Sequence, residues 1–113
     1  MKDGDYIPGL VGWEYHGDAA DLPGLEVVAA TQLNPYSSRN TNGGKFTSVV
    51  FPGPKGNWVF NASTIWWSEG LSSPPGHAPA ASRLARTFGP DERVQRITAN
   101  FLNRCFKDAP RRS

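Results

Sequence analysis

Hydrophobic positions fall in short clusters separated by glycine, proline and polar runs, and their spacing changes along the chain. Leu10-Val11-Gly12-Trp13-Glu14-Tyr15-His16 alternates enough to predict a strand that stops at Gly17-Asp18. Beyond the break at Pro23-Gly24, Leu25 to Thr31 predicts a second strand. Residues 34–44 are polar and without periodicity, which predicts a loop. Lys45 to Phe51 and Asn57 to Phe60 then predict a hairpin closed by the five residues from Pro52 to Gly56.

Trp58-Val59-Phe60 reads as a strand buried on both faces, and it opens directly into Asn61, Ser63, Thr64, Trp66, Trp67, Ser68 and Glu69. Ligands in α/β sheets gather where such strands end. Large aromatics and hydrogen-bonding side chains at that place build either a pocket wall or a core plug.

The spacing changes from two to three and four at the end of the chain. Val94, Ile97, Thr98, Phe101, Leu102, Cys105 and Phe106 define one apolar face of a helix running from about Pro90 to Lys107. Pro90 suits a first helical position, and Asp91 and Glu92 complement the positive end of the helix. Arg93, Gln95, Arg96, Asn100, Asn103, Arg104 and Lys107 occupy the opposite side. The expected fold is therefore α/β, a small mixed sheet of about four strands with one long C-terminal helix. One helix covers one face of such a sheet. The bare face implies a further packing partner, either another subunit or more of the same polypeptide.

Composition narrows the function classes. With 113 residues, residues 1–113 form at most a single domain, and 12 Gly and 10 Pro leave a modest, aromatic-rich core. A net charge of +2, with no basic patch interleaved among the aromatics, disfavours nucleic acid. A single cysteine excludes an internal disulfide, and Cys105 on the apolar helix face reads as a packed thiol. No apolar run reaches the roughly 20 residues of a membrane span, and Met1 to Gly9 has no signal-peptide core, so a cytoplasmic protein is expected.

Candidate chemistry is sparse. Glu14 lies between Trp13 and Tyr15, where desolvation would raise a carboxyl pKa toward the range of a general base. Taken alone, it reads more readily as an outward-facing strand residue. His16 follows two positions on, and two ligands without a third make no metal site. Asn61 could hold a substrate carbonyl or satisfy loose backbone groups. Trp66 and Trp67 could stack on a ligand or fill a core or interface. His77 in the Pro-rich stretch has no evident partner, and no Ser-His-Asp set or phosphate-cradling loop is present.

Three motifs in order carry a resemblance: Gly9-Leu10-Val11-Gly12-Trp13-Glu14, then Leu22-Pro23-Gly24-Leu25-Glu26-Val27, then residues 58–71 from Trp58-Val59-Phe60-Asn61 to Glu69-Gly70-Leu71. With Val94-Gln95-Arg96-Ile97-Thr98-Ala99-Asn100, the chain resembles the C-terminal end of the N,N-dimethylformamidase large-subunit family over residues 9–106. The family's phrasing is close to V-F-N-A-G-T-I-x-W-x-W-G-L, so Ser63 stands where glycine is usual. Ser68-Glu69 likewise departs from a tryptophan followed directly by glycine.

The resemblance implies the last portion of a glutamine-amidotransferase-like three-layer domain in an amide hydrolase. It implies a mononuclear iron held by tyrosine and glutamate side chains upstream of the matching region, with no metal ligand in this chain. There the iron would polarise the amide carbonyl and activate water. It also makes Glu14 the counterpart of a proton-handling glutamate, with Asn61, Trp66 and Trp67 toward a small amide substrate. The implied partners are the rest of a parent polypeptide or other subunits, in an oligomer. The other function class is a non-enzymatic module whose Trp58, Trp66 and Trp67 form an interface.

Overall fold

A computed structural model of the chain describes residues 2–11, 15–33, 44–78 and 89–109. Three strands, β1 (Glu26–Gln32), β2 (Lys45–Pro52) and β3 (Trp58–Asn61), form a sheet in the order β1-β2-β3. A single 3₁₀ turn (Trp67–Gly70) and the helix α1 (Glu92–Asp108) follow. Among the described residues the fold is thus mixed α/β, one sheet and one long helix.

Two expectations are corrected. Among the described residues both strand pairings are antiparallel, so the sheet there is not mixed, and it has three strands rather than four. The predicted strand at 10–16 does not form as such among the described residues. Leu10 instead buries its side chain against Trp67 and Val94, and its carbonyl accepts the Thr64 hydroxyl at 2.8 Å. Only Tyr15 reaches the sheet region as a strand residue, in an isolated antiparallel bridge to Thr64. Burying Leu10 in the core outweighs the alternation of its neighbours, and residues 12–14 lie outside the described residues. The predicted polar loop at 34–44 also lies outside them, apart from Gly44.

The hairpin forms one residue later than expected. Pro52 pairs with Trp58, so the five-residue loop is Gly53 to Asn57, closed by the Gly53 N–H donating to the Asn57 carbonyl at 2.6 Å. Val50 faces Phe60 and Phe51 faces Val59, whereas Phe46 pairs with Thr31 of β1 instead. A bulge between Val27 and Ala29 shifts the β1 register. The residues of β3 are half-buried, not enclosed on both faces.

α1 covers the sheet face that carries Val28, Val50 and Phe60. Its N-cap is Asp91, whose carboxylate accepts the Arg93 N–H at 2.8 Å, which leaves Pro90 outside the helix. A carboxylate that satisfies an orphan N–H outweighs a proline's preset φ at that end. Val94, fully buried, packs on Gly70. The Asp91 N–H donates to the Gly70 carbonyl at 2.9 Å, and Gln95 Nε2 donates to the Leu71 carbonyl at 2.9 Å. Two distant motifs are thereby locked together.

The apolar helix face is only partly used. Phe101 stacks obliquely on Phe60 with centroids 5.4 Å apart, whereas Leu102 and Phe106 are 49% and 80% exposed. Cys105 is half-buried. Arg104, placed on the polar side by its sequence position, lies 3.6 Å over the Trp58 ring and grips Glu26 with two hydrogen bonds. That ion pair holds the Glu26 carboxyl below its ordinary value, chiefly through the Arg104 hydrogen bonds. The far sheet face is not uniformly bare: Val27 is 55% exposed, but its cross-strand partner Val49 is buried.

Candidate functional site

β3 leaves β2 after Asn61, and the chain at Tyr15-His16 enters beside β2 where β3 has departed. The Thr47 N–H donates to the His16 carbonyl at 3.2 Å, and the His16 N–H donates to the Ser63 carbonyl at 3.2 Å. Together with the Tyr15–Thr64 bridge, this wedges two residues between β2 and the 63–64 segment. An open depression lies there, lined by Tyr15, His16 and residues 61–65.

Local hydrogen bonds shape the wall. Asn61 Oδ1 accepts the Ser63 N–H at 2.9 Å, an Asx turn, while the Asn61 carbonyl accepts the Ser48 hydroxyl at 3.1 Å. Ser63 is thereby driven to φ 59, the left-handed region that favours glycine. Thr64 Oγ1 accepts the Trp66 N–H at 3.2 Å and donates to the Leu10 carbonyl. The turn is therefore fixed by side chains from its own sequence and by one distant carbonyl.

Of the residues singled out by sequence, Glu14 lies outside the described residues. Asn61 lines the depression with its Oδ1 committed to the turn. Trp66 and Trp67 are buried, at 4% and 9% exposure, and lie behind the wall. Trp67 packs edge-on against Phe60 with centroids 5.2 Å apart, and its indole N–H donates to the Thr98 hydroxyl at 3.0 Å. Tyr15 joins Ser63 and Thr64 at the site only through backbone pairing across nearly fifty residues, which no local pattern announces.

A second feature lies away from the depression. His77 does have a partner: its Nε2 is 2.6 Å from Oε2 of Glu69, a side chain only 13% exposed. This pair ties the Pro-rich stretch back to the 3₁₀ turn. A groove of about 220 Å³ between α1 and the sheet is lined mainly by Val28, Val50, Phe60, Ile97 and Phe101. Among the described residues, no three His, Cys, Asp or Glu side chains converge as metal ligands, and no helix is long and apolar enough to cross a membrane.

The small antiparallel sheet, its single covering helix and the strand-end depression define an α/β domain whose identity lies in its motifs. Residues 1–81 match the family described as N,N-dimethylformamidase beta subunit-like, C-terminal. The chain belongs to that family. The match takes in the first three motifs and stops before α1, so Val94 to Asn100 lie beyond it. No curated protein and no solved structure matches the chain.

Proposed function

We propose that this chain is the C-terminal portion of an amide hydrolase that cleaves the C–N bond of a small non-peptide amide, and that it is inert alone. Membership of the dimethylformamidase-like family is the observation that carries the reading. The depression where β3 ends supports it, because Tyr15, next to Glu14 in the sequence, joins the sheet region there.

In this reading Glu14 accepts a proton from the attacking water and returns it to the leaving amine. Asn61 faces the substrate from the depression, while Trp66 and Trp67 hold the wall from behind. A glutamine-amidotransferase-like domain would be completed by the parent polypeptide, with α1 and the sheet as its last part. The family resemblance also implies iron. By the same resemblance its tyrosine and glutamate ligands would lie upstream of the matching region, so this chain's residues supply no metal-borne step.

The test is amidase activity in the full-length parent with N,N-dimethylformamide and related small amides. Glu14→Gln should lower kcat by roughly 10²–10⁴-fold with unchanged thermal unfolding, the usual range for a lost acid–base group. A parent without amidase activity, or one indifferent to Glu14→Gln, overturns the proposal.

Exposure of Leu102 and Phe106 favours a second reading, an interaction module that docks through α1. An interface built from Trp66 and Trp67 has less support, since both rings are buried.

A further inference from the structure

His16 has no role in the reading above, yet its backbone is held on both sides. Its N–H is fixed by Ser63 and its carbonyl by Thr47, each at 3.2 Å. A residue whose backbone is held on both sides carries its Cβ in a set direction. The side chain borders the depression and is exposed. Among the described residues no hydrogen bond engages its ring, and no metal-binding cluster includes it.

Asn61 borders the same depression, with its Oδ1 taken by the Ser63 N–H. Its Nδ2 group is the donor left to meet an acceptor from outside. A neutral imidazole likewise carries one N–H donor. With the imidazole N–H turned to the depression, the two groups offer two donors, which suit a carbonyl or carboxylate oxygen.

We infer that His16 is a substrate-positioning residue that, together with Asn61, donates a hydrogen bond to the carbonyl oxygen of a small amide. The same donors hold an oxygen of the carboxylate product. This rests on the amide-hydrolase reading, and it adds a binding group that the family motifs do not include. The bond is made in both the bound substrate and the transition state, so it governs KM rather than kcat.

The experiment uses the full-length parent with His16→Ala and His16→Gln. His16→Ala should raise KM for N,N-dimethylformamide about tenfold with kcat little changed, the size of one hydrogen bond. His16→Gln keeps a donor and should recover most of that loss. Calorimetric binding of formate to the parent is read separately from turnover and should weaken by a similar factor in His16→Ala. Unchanged KM and formate affinity in His16→Ala overturn the role of His16 while leaving an active amidase intact. An equal KM rise in both variants, accompanied by lowered thermal stability, also overturns it. If the parent proves inactive the hydrolase reading fails, and formate affinity that is absent or insensitive to His16→Ala removes the anion-binding role as well.

Discussion

Trp67 donates its indole N–H to Thr98 Oγ1 at 3.0 Å, and that hydroxyl donates onward to the Val94 carbonyl at 3.0 Å. The relay ties the tryptophan-rich segment to α1 through a half-buried side chain on the helix face that the sequence marks as apolar. Removing the acceptor should cost more than removing the donor, because an unpaired buried indole N–H keeps its full desolvation penalty. Thr98→Val is expected to destabilise the chain by about 1–3 kcal/mol, and Trp67→Phe beyond its lost area by about 1 kcal/mol. Urea unfolding of both variants and the double mutant checks this; purely additive losses would mean that the bond is not coupled.

Gly70 has no room for a side chain. A Cβ there would lie 2.9 Å from both γ-methyls of Val94, itself fully buried. Gly70→Ala should therefore destabilise by about 1–3 kcal/mol, the cost of overpacking. Adding Val94→Ala should recover part of the loss, measured as a thermal midpoint. This contact also gives a physical reason for a Gly-Leu pair at the end of the aromatic segment.

Ser63 occupies the left-handed region at φ 59, which glycine enters without strain. Replacing a strained L-residue there should stabilise the turn. Ser63→Gly is expected to raise stability by up to about 1 kcal/mol, offset in part by glycine's greater unfolded-state entropy. Ser63→Val should lower it and weaken the turn at Asn61. Denaturant midpoints of the two variants should move in opposite directions; movement in the same direction contradicts the strain argument.

Asp91 gives the chain an acid-sensitive joint. Its carboxyl is held below the ordinary aspartate value, first by the Arg93 side-chain hydrogen bond and then by backbone N–H donors. A folded pKa below the unfolded one means that the stabilisation is present above the unfolded value. It is lost as pH falls through the folded value. Stability should therefore drop below about pH 4, and Asp91→Asn should flatten part of that drop. Because the pair is partly exposed, its contribution at neutral pH should not exceed about 1 kcal/mol. Thermal melts from pH 2 to 7 provide the comparison.

Leu102 and Phe106 present apolar surface on the outside of α1. The isolated chain should therefore self-associate or bind a dye that reports apolar surface. Phe106→Ser combined with Leu102→Ser should diminish both signals without unfolding α1. Sedimentation that shows a monodisperse monomer with no dye binding runs against this expectation.

The hairpin, the terminal helix and their approximate bounds were legible in the sequence, since period-two and period-three-to-four patterns are local properties of the chain. The family was legible too, from motifs in fixed order. The Asx turn at Asn61 and the left-handed Ser63 were half-visible, as a polar cluster and a departure from glycine.

Other features belong to tertiary structure alone. Leu10 left the strand pattern for the core because burial against Trp67 and Val94 outweighed alternation. Arg104 crossed from the polar side of the helix to the Trp58 ring and Glu26 because only packing brings residues 78 positions apart together. Phe106 shows the reverse, an apolar residue on the predicted buried face with nothing among the described residues to cover it. The sequence thus determined the elements and the family. Tertiary contacts decided which side chains those elements bury, pair or present at the strand end, because each such contact depends on residues too distant for any local pattern to couple.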